Sequence, residues 1–216
     1  MKIVLIGASS DIAKQLVADK SNHYEFIEVS STTSSFDVQN EETFPEIEGG
    51  IDGLVYFPGS INLRPFSSLK LSDFQTDYEI NVLGLIKVLK HYHKSLNDNA
   101  SLVFISSIAA SVGMPFHSSI SASKAAIEGL CRSLAAEWSP KVRVNCVAPS
   151  LVNTKMSKRM FRTEAQTEQM MDRHPLKQVG SPQDISNAIA FLLSTDSGWM
   201  TGQVIGVDGG LSTIKK

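Results

Sequence analysis

Four short apolar runs in this chain end in the same kind of punctuation. Lys2 to Ala8 closes on Gly7-Ala8-Ser9-Ser10 and Leu54 to Phe57 on Pro58-Gly59. Ser101 to Ser106 closes on Ser106-Ser107, and Lys141 to Ala148 on Pro149-Ser150. Runs that are apolar on both faces read as strands of a parallel sheet covered by helices. Tyr24 to Ser30 and Gln203 to Val207 add two strands, and Phe36-Asp37-Val38 a short further one. Helical patterns separate them. From Leu71 to Leu96, residues Phe74, Tyr78, Asn81, Val82, Leu85, Leu89 and Tyr92 recur at helical spacing. Ile127, Leu130, Cys131, Leu134 and Trp138 stripe a helix from Ser119 to Trp138. Pro182 to Leu193 is another, and Lys155 to Met171 is expected to be helical, rich in methionine and charge. This alternation predicts βαβ units with right-handed crossovers. The expected architecture is α/β, a doubly wound parallel sheet of about seven strands flanked by helices. No linker, repeat or low-complexity tract interrupts residues 1–216, so one domain is expected.

Composition narrows the function classes. The formal net charge is −2 and no block of five like charges occurs, so neither nucleic acid nor a membrane surface is an expected partner. Cys131 and Cys146 fall in a predicted helix and strand; read as buried thiols, they imply a reducing compartment. The apolar run after Met1 is too short for a signal peptide or a membrane span. A cytoplasmic protein is expected.

In doubly wound sheets ligands bind beyond the carboxyl ends of the strands. A glycine turn feeding a helix offers bare backbone N–H groups to a phosphate. Gly7, Ser9, Ser10, Asp11 and Ile12 form such a turn, with Asp11 the expected N-cap. The stretch from Ser106 to Lys124 runs from a strand end through a loop into a helix whose first turn holds a lysine, which are the parts of an active site.

Several segments together resemble the short-chain dehydrogenase/reductase family, most closely its β-ketoacyl-reductase-like branch. They are Gly7-Ala8-Ser9-Ser10, Asn81-Val82-Leu83-Gly84, Ala122-Ser123-Lys124-Ala125-Ala126, Arg143-Val144-Asn145, Thr201-Gly202-Gln203 and Val207-Asp208-Gly209-Gly210. The likeness runs from Lys2 to Gly210. It implies a Rossmann fold and NAD(P)(H)-dependent interconversion of a small carbonyl or alcohol substrate. A homotetramer or dimer is implied as well. By resemblance Lys124 binds the nicotinamide ribose, Ser107 hydrogen-bonds the substrate oxygen and Asn81 holds a relay water. Thr154 and the backbone of Val152 hold the carboxamide, just after Pro149, where Ser150 replaces the usual glycine. Asp37-Val38 matches the adenine-contacting pair. Gly59 survives from the family's Asn-Asn-Ala-Gly, which reads Tyr56-Phe57-Pro58-Gly59 here. Strand 2 ends in Val29-Ser30-Ser31-Thr32 with no acid for the adenosine ribose. Hydroxyls at Ser30 and Ser31 can hold a 2′-phosphate, so NADP(H) is favoured over NAD(H), although no arginine is nearby in the sequence.

One position departs from the pattern. The family's proton-donating tyrosine, four residues before the lysine, is Ile120 here, and isoleucine can neither donate nor accept a proton. Three readings follow. Another group substitutes: His117 on the substrate-facing loop, the weaker donors Ser119 and Ser121, or Lys124 itself when desolvated. Or the chain binds nucleotide without turnover, as a regulatory subunit. Or the reaction differs from carbonyl reduction. The other histidines point to no metal: His91 and His93 lie on different sides of a helix, and His174 reads as a loop residue before Pro175. Met156, Met160, Phe161, Met170 and Met171 fall where the family carries a substrate lid.

Overall fold

The computed structural model describes residues 1–32 and 34–215. Six strands form one parallel sheet in the order β2-β1-β3-β4-β5-β6. They are β1 (Lys2–Ile6), β2 (Glu25–Val29), β3 (Ile51–Tyr56), β4 (Leu96–Ile105), β5 (Val142–Pro149) and β6 (Val204–Val207). The α-helices are α1 (Asp11–Lys20), α2 (Leu71–Tyr78), α3 (Gly84–Tyr92), α4 (Ser118–Trp138), α5 (Glu164–Asp172) and α6 (Pro182–Leu193). Side chains alternate across β1 as the period of a strand requires. Val4 and Ile6 join the layer of Leu85, Val88 and Ile127 from α3 and α4. Ile3 and Leu5 join the layer of Leu16, Ile185 and Ile189 from α1 and α6. Both faces are covered, which is why the strands are apolar on both sides.

Among the described residues the sheet has six strands, not seven. Phe36-Asp37-Val38 pairs with no strand among the described residues. Phe36 and Val38 are buried with Asp37 exposed between them. Phe36 packs on Phe44 at 4.9 Å between ring centroids, and the Asp37 backbone N–H donates to Thr43 Oγ1 at 2.9 Å. The alternation is a strand's, but its backbone bonds go to a local loop. The Lys155 to Met171 segment also divides. A short 3-10 turn at Lys158–Met160 precedes α5, whose N-cap Thr163 accepts from the Gln166 N–H. The capping hydroxyl starts a new helix where the pattern suggests a continuous one.

The long helical stretch before β4 is broken by a π turn at Glu79–Leu83. Asn81 sits inside it and is fully buried. Its Nδ2 donates to the Asp77 carbonyl at 2.8 Å, and Tyr56 Oη donates to the Ile80 carbonyl at 2.6 Å. Such turns free carbonyls that must be satisfied by side chains, and they are frequent at functional sites. Other shared segments have structural duties. Arg143 donates to the Leu192 carbonyl in the last turn of α6 and to those of Ser194 and Ser197 past its end. Asn145 ties Met200 O and Gln203 N to β5. No helix among the described residues is long and apolar enough to cross a membrane.

Candidate active site

The chain reverses direction across the sheet between β1 and β3. Beyond the carboxyl ends of these strands and of β4 and β5 lies a cavity of about 1040 Å³. Of the residues the sequence marks for cofactor or chemistry, these line it: Gly7, Ser9, Ser10, Asp11, Ile12, Ser30, Ser31, Asp37, Val38, Pro58, Gly59, Asn81, Ser107, His117, Lys124, Pro149, Val152 and Thr154. Ser119 and Ser121 do not: their hydroxyls donate to Asp77 and to the Ala109 carbonyl. Ile120, Met114, Met156, Met160 and Met170 line it too, whereas Phe161 and Met171 are not among its walls.

Gly7 has φ +81°, which glycine adopts freely, and a Cβ there would lie 2.9 Å from the Pro58 ring. Ser10, not Asp11, caps α1 by accepting the Ile12 N–H at 3.3 Å. Asp11 is the first helical residue instead. Its carboxylate accepts the Lys155 backbone N–H at 2.7 Å. The acid is thereby engaged by the loop after β5, and it also complements the helix dipole.

Lys124 is buried, and its Nζ donates to the Ile105 carbonyl at 2.8 Å. Burial lowers its pKa from 10.5 to about 8, with Cys146 and Asp77 pulling in the opposite direction. A Cβ on Gly59 would stand 3.2 Å from Asn81 Oδ1 and 3.7 Å from Lys124 Nζ, so the missing side chain leaves these two groups a shared space. Asn81 Oδ1 is buried and has no hydrogen-bond partner among the described residues. A buried acceptor without a partner is costly, and a water or ligand hydroxyl between it and the ammonium would satisfy both. These features suit a dinucleotide: bare backbone at Gly7 and Gly59, a cationic donor and an unpartnered acceptor.

Ser107 accepts the Ala109 N–H at 3.2 Å as the cap of a short turn, which leaves its own proton for the cavity. His117 Nδ1 lies 2.7 Å from the Pro115 carbonyl. A carbonyl only accepts, so Nδ1 carries the proton and Nε2 can donate only when the ring is an imidazolium. Thr154 Oγ1 is 3.3 Å from Ser157 Oγ.

Two features are absent from the sequence reading. Asp77, fully buried, accepts from Ser60 Oγ at 2.6 Å, Asn62 Nδ2 at 3.0 Å and Ser119 Oγ at 2.6 Å. It joins the loop after β3 to the start of α4. Its place one turn before Asn81 is the available sequence signal. Asp77→Ala strands the buried Ser119 hydroxyl and frees the half-buried donors of Ser60 and Asn62, and we expect a loss of about 3 kcal/mol in urea unfolding. His174, read as a loop residue, is 2% exposed and lies 2.8 Å from Ser150 Oγ. Its partner is a long-range one that local pattern cannot reveal.

The family model described as enoyl-(acyl carrier protein) reductase matches residues 5–212. A tropinone reductase homolog of Arabidopsis thaliana is 30% identical over 199 residues, covering 91% of this chain and 72% of the relative. The 3-oxoacyl-(acyl-carrier-protein) reductase of Thermotoga maritima is 33% identical over 166 residues, covering 76% of this chain and 67% of its own. The chain spans about half the length of several other curated relatives it matches. The crystal structure of a small-chain dehydrogenase in complex with NADPH superposes with a TM-score of 0.90 at 26% identity, covering 98% of both chains.

Proposed function

The chain belongs to the short-chain dehydrogenase/reductase family, and from that premise we propose that it is a single-domain, NADP(H)-dependent oxidoreductase interconverting a carbonyl and an alcohol. The observation that carries this reading is the buried Lys124 ammonium facing the unpartnered Asn81 Oδ1 across Gly59. Bound along the cavity, the dinucleotide would supply hydride. Lys124 orients its ribose, and Thr154 and Val152 hold its carboxamide end. Gly7, Ser9, Ser10 and Ile12 receive the pyrophosphate on the first turn of α1. Asp37 and Val38 flank the adenine, and Ser30 and Ser31 favour the 2′-phosphate. Ser107 polarises the substrate oxygen, and Asn81 keeps a water beside Lys124. With Ile120 at the tyrosine's place, His117 or water brings the proton. A homotetramer or dimer in the cytoplasm is part of the same proposal.

Fluorescence titration tests the cofactor. NADPH is expected to bind more tightly than NADH, and no binding at millimolar NADPH would end this reading. His117→Ala tests the rim: a tenfold or larger drop in kcat assigns the proton to His117, and unchanged turnover removes it. Ile120 favours a second reading, a nucleotide-binding subunit without turnover. That reading predicts NADPH binding and no reduction across a carbonyl panel.

A further inference from the structure

The part of the cavity that the dinucleotide reading leaves over has walls of one chemical kind. Met156 and Met160 line it from the loop after β5, and Met170 from α5. Ile61 and Leu63 line it from the loop after β3, and Met114 and Ile120 from the stretch between β4 and the first turn of α4. Methionine is long, unbranched and polarisable, so such a wall adapts its shape to an apolar guest. The polar groups on the same walls are mostly engaged within the protein. Ser60 Oγ donates to Asp77 Oδ1 at 2.6 Å, Ser106 Oγ to Glu128 Oε1 at 2.7 Å, and Ser157 Oγ to the Val152 carbonyl. Ser150 Oγ and His174 Nε2 lie 2.8 Å apart and satisfy each other. Among the described residues, the acids lining the cavity are Asp11 and Asp37, both in the dinucleotide's part. They accept the backbone N–H groups of Lys155 and Gln39 at 2.7 and 2.9 Å. Lys155, Arg159 and Arg173 line the cavity but are exposed, so their charged heads stay in water at the mouth while their stems add apolar surface. Arg173 Nη1 lies 3.8 Å from Met170 Sδ. What remains for a substrate is the Ser107 hydroxyl proton and the His117 ring, enough for one oxygen.

We propose that the substrate is an apolar ketone whose carbonyl is its one polar group within the cavity. The proposal rests on the oxidoreductase reading and names its substrate class. A hydroxyl elsewhere on the molecule would leave water and find no partner on the methionine and isoleucine walls, which is costly. Each further methylene leaves water for those walls, which is favourable. Ile120, idle as an acid, serves as part of that wall. Hydride from NADPH goes to the carbonyl carbon and the carbon–oxygen π pair moves to oxygen. That oxygen takes the proton that His117 or water brings, and a secondary alcohol and NADP+ are the products.

The test panel is butanone, octanone and erythrulose, the trihydroxy counterpart of butanone, each with NADPH. We expect kcat/KM to be higher by about tenfold or more for octanone than for butanone, and by about tenfold or more for butanone than for erythrulose. Met160→Gln and Met170→Gln keep the length of the side chain and place an amide on the wall. Each is expected to narrow the octanone-to-erythrulose ratio by about fivefold or more. A readout without turnover is titration calorimetry of the NADPH complex with hexanol and with glycerol. Hexanol is expected to bind about tenfold more tightly, with a negative heat-capacity change. Erythrulose reduced as well as butanone, a ratio unmoved in both variants, or hexanol bound no better than glycerol overturns the apolar class and leaves the oxidoreductase reading standing. Hexanol bound as expected with no ketone reduced overturns the oxidoreductase reading and keeps the apolar site as a binding site.

Discussion

Lys124→Met is expected to raise the stability of the fold and to remove its grip on the cofactor. The two effects have one cause, a charge held in the interior. Lys124 carries a pKa of about 8 against 10.5 for a solvated lysine, which corresponds to about 3 kcal/mol of destabilisation while both states are protonated. Methionine keeps the length of the side chain without the charge. It forfeits the bond to the Ile105 carbonyl, about 1–2 kcal/mol. The net expectation is a gain of about 1 kcal/mol at pH 7 in urea unfolding. The sign follows from proton counting. Below pH 8 the lysine is charged in both states and the penalty is constant. Between about 8 and 10.5 the unfolded chain holds a proton that the folded chain has released, so wild-type stability rises with pH and the mutant's advantage shrinks. The dissociation constant for NADPH is expected to rise at least tenfold, because charge-assisted hydrogen bonds to the ribose are lost. Unchanged affinity would remove Lys124 from the cofactor site.

Ile120→Tyr is expected to raise kcat for carbonyl reduction by about 10² or more, the usual worth of a positioned acid. Ile120 lines the cavity and precedes Lys124 by one helical turn, so a phenol there stands beside the ammonium. A neighbouring cation favours the phenolate and brings the tyrosine towards a working pKa. Ile120 is buried, so the larger ring has to enter the cavity rather than the core; overpacking otherwise costs about 1–3 kcal/mol. Steady-state kinetics on a carbonyl panel, beside NADPH titration, reads both effects. Intact binding with no gain in rate would remove carbonyl reduction and leave nucleotide binding.

Much of this site is legible in the chain itself. Gly7, Pro58, Ser107 and Pro149 mark strand ends, and strand ends of a doubly wound sheet converge on one crevice. Pro182–Leu193 appears with its expected bounds because Ser181 and Asp184 form a capping box around a proline-started helix. The strand expected at Phe36 to Val38 does not form. Alternating burial is shared by a strand and by a loop that tucks in two side chains, and only a hydrogen-bonding neighbour tells them apart. Asp11 is misplaced by one residue because Ser10 and Asp11 are both good caps, and the Lys155 N–H, 144 residues away, takes the carboxylate.

The sequence by itself determined the alternation of strands and helices, the crevice and the residues around it, because burial periodicity and turn chemistry are local properties. It also carries the resemblance by which Ile120 is expected at the place of the family's proton donor. The tertiary structure decided what those residues do to one another. It placed Asp77 under Ser60 and Ser119, depressed the Lys124 pKa by burial, left Asn81 Oδ1 without a partner and set His174 against Ser150. Each of these depends on partners distant in sequence and on the loss of water around them, and neither is written into any short stretch of the chain.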